Sequence, residues 1–159
     1  MSCRFMFATA LALSVCASAF AQKRTWSQPC GDYDTQSEMN LCAHDEAADA
    51  DAKLNETYSQ LIAKLKGDAF ARSKVVASER AWLAYRGADL AAAWPIRPGE
   101  SPTVAYGSVH PLCYYKALTA MTNDRTSELQ RWMTSQEGDI CSSQLARCRR
   151  AAETTASGN

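Results

Sequence analysis

Between Thr35 and Lys66, apolar and small residues recur at steps of three and four: Met39, Ala43, Ala47, Ala50, Leu54, Tyr58, Leu61 and Leu65. That step is the period of one helix face, so the pattern predicts a single long amphipathic helix. Thr35 and Glu38 stand at capping-box spacing, where hydroxyl and carboxylate satisfy the first free N–H groups. Lys66 and Gly67 close the helix with a cation near its carboxyl end and a glycine free to turn left-handed. A second predicted helix, about Ala69 to Ala93, carries Val75, Val76, Trp82, Leu83, Tyr85 and Leu90, and Pro95 ends it. A third, about Leu112 to Met133, carries Leu112, Tyr115, Leu118, Met121, Thr122, Leu129 and Trp132. Between them Pro95, Pro98, Pro102, Pro111, Gly99 and Gly107 predict a long irregular loop. Such loops are uncommon in compact domains and are often functional. Strand patterning is nearly absent. The expected fold is all-α: an antiparallel bundle of three main helices, with the long Pro/Gly loop between helices 2 and 3. Trp26 and Tyr33 are expected to pack the N-terminal segment onto it.

The two ends of the chain read differently. Arg4, an apolar stretch from Phe5 to Phe20, and the small residues Ala19 and Ala21 form a secretory signal pattern, with cleavage expected after Ala21. The apolar run is shorter than the roughly 20 residues a membrane span needs. Leu13-Ser14-Val15-Cys16 is a partial lipobox, but Val15 fits poorly before a modified cysteine. Residues 22–134 are expected to form the helical domain, and residues 135–159 a C-terminal extension with weak periodicity that is partly disordered.

Export changes how the cysteines read. Of seven, Cys3 and Cys16 leave with the signal, and Cys30, Cys42, Cys113, Cys141 and Cys148 remain. In an oxidising compartment these are disulfide candidates before they are metal ligands. Cys30 and Cys42 are close enough in sequence to bridge the N-terminal segment to the first helix. Cys141 and Cys148 would stand about 10 Å apart along one helix, too far to bond without a turn.

Little in the chain looks like chemistry. Lys and Arg number 17, as do Asp and Glu, so no concentrated basic face for nucleic acid is expected. Cys42 and His44 are spaced too closely for a helical ligand pair, and no metal or other cofactor is expected. Ser108, His110 and Cys113 lie together, but without a nucleophile-elbow motif or a frame to hold one, so no enzyme is expected. The polar cluster is more informative. If helices 1 and 2 run antiparallel about a turn near Gly67, Asp51 or Asn55 meets Arg80, with Arg86 close by. This network is read as a register-setting pairing. Asp45, Glu46 and Asp49 face away from the apolar stripe as a solvated acidic face.

Three ordered stretches carry a family resemblance. "EMNLCA" at 38–43, "ADAKLNETYSQL" at 50–61 and "ERAWLAYRGADL" at 79–90 resemble the signature of the LprI-like lysozyme inhibitor family. Cys113 and the Thr122-x-x-Arg125 segment resemble its later elements. The resemblance implies an exported, non-catalytic, disulfide-stabilised helical domain whose protein partner is a lysozyme. Gly87 stands where the family tends to have Asp, and Leu90 where it tends to have the Cys that partners Cys113. That departure leaves Cys113 to pair with Cys141 or Cys148, or to stay free. Lysozymes cleave between two carboxylates in a cleft. The candidate docking element is therefore the loop carrying Arg97, Ser101, Tyr106 and His110. The acidic face is the second candidate, through attraction to a basic lysozyme. The alternative function is a non-catalytic envelope module that binds another protein or the cell wall.

Overall fold

The computed structural model describes residues 23–134 together with Leu145. The expected signal segment and the C-terminal extension apart from Leu145, Cys141 and Cys148 included, lie outside the described residues. Within them are four α-helices and no strands: α1 (Gln36–Lys64), α2 (Ala69–Ala93), α3 (Pro102–Tyr106) and α4 (His110–Met133), preceded by a 3-10 turn at Cys30–Asp32. No described helix is long and apolar enough to cross a membrane.

The first three helices start where local chemistry supplies a cap. At α1 the capping box forms in both directions, with the Glu38 N–H donating to Thr35 Oγ1 and the Thr35 N–H to Glu38 Oε2, both at 3.2 Å. Asp68 caps α2 by accepting from the Ala71 N–H at 2.8 Å. Ser101 caps α3 by accepting from the Val104 N–H at 3.2 Å, and Pro102 fills the first turn. α4 has no cap of its own, since Val109 offers no side-chain acceptor. Asn40 of α1 does that work from across the fold. Its Oδ1 accepts from the Leu112 N–H at 3.1 Å, and its Nδ2 donates to the Ser108 carbonyl at 2.9 Å.

Two expectations are corrected here. Gly67 does not turn left-handed; positive φ occurs only at Gly99 and Gly107 among the described residues. The α1–α2 turn closes instead through the Leu65 and Lys66 N–H groups, which bond back to Leu61, Ile62 and Ala63. The long loop is not structureless either. Ser101 and Pro102 nucleate α3 inside it, and Gly107, at φ 76°, stops that helix with a conformation glycine takes at low cost.

The most extensive pairing is between α1 and α4. They run in the same direction: Asn40 bonds the start of α4, while Leu61 and Leu65 share a core with Leu129 at the other end. α2 returns alongside them. Its Ala71 and Val75 join that core, and Arg86, further along, reaches Asp51 and Thr122. This first core (Leu54, Leu61, Leu65, Ala71, Val75, Leu129) is flanked by Trp82, Trp132 and Leu145. A second core, at the opposite end, gathers Cys30, Cys42, Ala43 and Leu112 against Trp26, Tyr33, Met39 and Tyr115. The alanines of α1 at 43, 47 and 50 are all buried, which lets α4 lie close.

Candidate functional site

Between the two cores lies a polar layer. Arg125 is the most deeply buried cation in it, with 3% of its side chain exposed. Its Nε donates to Glu79 Oε2 at 3.0 Å, its Nη1 to Glu128 Oε2 at 2.7 Å and its Nη2 to Ser78 Oγ at 3.0 Å. One turn away, Arg86 Nη1 donates to Asp51 Oδ1 at 2.6 Å and to Thr122 Oγ1 at 2.9 Å. The Thr122 hydroxyl donates onward to the Leu118 carbonyl. Trp82 lies between the two guanidinium groups, 4.9 Å from Arg86 and 5.8 Å from Arg125, and Trp132 sits 4.9 Å from Arg125 on another side. A cation this buried is tolerable because every face meets an acceptor or a ring.

The arginine that meets Asp51 is therefore Arg86, not Arg80. Arg80 and Asn55 are exposed and line a shallow groove of about 360 Å³ between α1 and α2. The Glu79–Arg125 pair was not anticipated. A signal for the Glu79 half was present: steps of four, three, four and four from Val75 reach Glu79, Trp82, Arg86 and Leu90, and pass over Arg80. The motif residues thus hold helices together. Asn40 caps α4, Cys42 bonds Cys30, and Asp51, Glu79, Trp82, Arg86, Thr122 and Arg125 build the layer.

The loop is braced at several points. The Tyr106 hydroxyl donates to the Pro95 carbonyl at 2.7 Å, Ser101 caps α3, and Asn40 holds Ser108. The Tyr106 ring stacks on His110, which is buried between it and Tyr114. Of the four expected contact residues, Ser101, Tyr106 and His110 thus serve the loop itself, and Arg97 stands exposed. The loop also exposes three apolar side chains: Ile96 (40%), Val104 (78%) and Val109 (44%). Pattern reading missed these, because isolated apolar residues in a Pro-rich stretch carry no period.

The acidic face is already engaged. Lys23 Nζ lies 2.7 Å from Asp49 Oδ2. Arg24 Nε and the Trp26 indole N–H both donate to Asp45 Oδ2, at 3.0 and 3.2 Å. The Arg24 hydrogen bond holds the Asp45 carboxyl below its ordinary value; partial burial opposes it, and His44 and Trp26 reinforce it. A depressed carboxylate stabilises the fold above its unfolded pKa and loses that contribution as pH falls through the folded value. Acid titration is therefore expected to release the segment around Trp26 below about pH 4, near the unperturbed Asp value. Trp26 fluorescence should change there in the native chain and not in Asp45→Asn. His44 packs edge-on against Tyr115. Cys30, Cys42 and Glu46 bring ligand-type atoms together, but the two sulfurs are bonded to each other and offer no thiolate. Cys113 is exposed and has no cysteine partner among the described residues.

Fold and site define a small all-helical domain with a stapled N-terminal segment, a buried arginine layer and a braced surface loop. The chain belongs to the LprI lysozyme inhibitor family, whose model, "Lysozyme inhibitor LprI", matches residues 27–129. It is also similar to an uncharacterized protein of Rhizobium meliloti (strain 1021), with 30% identity over 141 residues, covering 82% of this chain and 96% of that protein. No solved structure matches the chain. The matched family is one of inhibitors, not of enzymes.

Proposed function

We propose that this protein is an exported lysozyme inhibitor, released by cleavage after Ala21, with its three long helices acting as an antiparallel bundle behind a docking loop. The supporting observation is the braced loop at residues 95–109, which holds Ile96, Val104 and Val109 exposed beside Arg97. A loop ordered before contact loses little conformational freedom on docking. Arg97 supplies the cation suited to a cleft lined by carboxylates. The acidic face is the weaker candidate, because Lys23 and Arg24 already neutralise much of it.

The test is turbidimetric lysis of a cell-wall substrate by c-type, g-type and i-type lysozymes, with the secreted form in stoichiometric excess. Inhibition of at least one is expected. Arg97→Glu combined with Val104→Asp should weaken inhibition at least about tenfold, equivalent to ~1.4 kcal/mol of binding. Both positions are exposed, so helical circular dichroism should not change. Undiminished inhibition by the variant would remove the loop as the docking element. Silence against all three lysozymes would remove the inhibitor reading and leave a non-catalytic envelope module.

A further inference from the structure

Behind the loop lies a cleft of about 720 Å³, bounded by the end of α2, the loop and the start of α4. Its walls include Gly87 and Leu90 of α2, Trp94, and His110, Tyr114 and Tyr115 of α4. The volume is in the range of small-molecule sites. The rings are arranged edge-to-face as well as stacked: Trp94 stands at 63° to Tyr114 with centroids 5.9 Å apart, and Tyr115 at 81° to Tyr114 at 5.5 Å. Among the lining residues there is no Asp, Glu, Lys or Arg.

One polar atom at this cleft lacks a partner. His110 is 8% exposed, and its Nε2 is buried with no hydrogen bond. Buried polar nitrogens are nearly always bonded, so an orphan at the wall of a cleft calls for a reason. We propose that the cleft binds an uncharged saccharide, and that a small turn of the His110 ring lets a sugar hydroxyl supply the partner its buried Nε2 lacks. Three features select this chemistry. A pyranose has an apolar C–H face that packs on aromatic rings and a polar rim that reaches the Tyr hydroxyls and Thr103. A hydroxyl both donates and accepts, so it satisfies Nε2 in either imidazole tautomer, whereas an ammonium or a carbonyl satisfies only one. The uncharged lining gives an anion no counter-charge, and a quaternary ammonium has no group to bond the nitrogen. Gly87 and Leu90, where this chain departs from the family pattern, keep the α2 wall small and apolar. A Cβ built on Gly87 meets nothing within 4 Å.

The experiment is calorimetric titration of the secreted form with the trimer of N-acetylglucosamine and separately with tetramethylammonium chloride, with no lysozyme present. The result is therefore independent of inhibition. Saturable heat with the trimer and none with tetramethylammonium is expected. Gly87→Phe fills the cleft from an open helical position, so it should fold normally and weaken the trimer at least about tenfold. His110→Phe keeps the stacked ring and removes the orphan nitrogen; it should raise the melting temperature while weakening the trimer. No heat with the trimer, binding of tetramethylammonium in its place, or equal trimer affinity in Gly87→Phe would each overturn the proposal.

Discussion

Arg125→Ala should cost about 3–5 kcal/mol of folding stability, a large part of the roughly 5–15 kcal/mol such a domain has. The loss arises mainly from what remains behind. Glu79 is 8% exposed, and without Arg125 its carboxylate is buried with no cation facing it. The Ser78 hydroxyl loses a donor, and the space between Trp82 and Trp132 opens. Glu128 contributes little to the loss, because 40% of its side chain already meets solvent. Arg125→Lys should also be costly, since an ammonium cannot reach Glu79, Glu128 and Ser78 from one planar group. The informative comparison is the double variant Glu79→Leu/Arg125→Met. Replacing both members of a buried pair with apolar groups is often close to neutral. Urea unfolding followed by circular dichroism should therefore rank the double variant well above Arg125→Ala. If Arg125→Ala lost less than about 1 kcal/mol, the layer would be a surface pairing and the burial argument would fail.

The second large effect is expected at the other end of the fold. Cys30 and Cys42 lie at bonding distance with Cα atoms 5.4 Å apart, and both are fully buried in the second core. Replacing both with alanine should cost about 2–5 kcal/mol, through a freer unfolded chain and two thinned positions in that core. The damage should be local first. The bond is what carries Trp26 and Tyr33 onto α1, where their rings meet edge-on at 5.2 Å. Wild-type protein in reductant should behave as the double variant does, with a lower urea midpoint and an altered Trp26 signal. A reduced protein as stable as the oxidised one would show that noncovalent contacts, the Asp45 and Asp49 pairings included, suffice to hold the segment.

The three long helices were legible because each rule behind them is local, whereas α3 was read as irregular loop. The Thr35–Glu38 box, the three-and-four stepping of α1 and the proline after α2 each involve residues a few positions apart. The Cys30–Cys42 bond is nearly local too. The partner of Asp51 was not legible in the same way. Symmetry about Gly67 places Asp51 opposite the turn of α2 around position 83, which has an arginine on either side of it. The observed partner, Arg86, lies just under one helical turn beyond that point, and a shift that small decides between Arg80 and Arg86. Arg125 was harder still, since its partner Glu79 lies on a different helix and nothing in the local pattern links the two. The role of Asn40 could not be read locally either. It caps a helix that begins some seventy residues later, and only the α1–α4 pairing brings the two together.

That pairing has a consequence for how the molecule comes into being. The first long helix made on the ribosome has its main partner in the last long helix among the described residues. Until α4 has been synthesised, the second core lacks Leu112 and Tyr115 and the first lacks Leu129 and Trp132, so neither can close. Domain completion thus waits for α4, and a nascent chain stalled before it would hold no closed core to protect it from proteases.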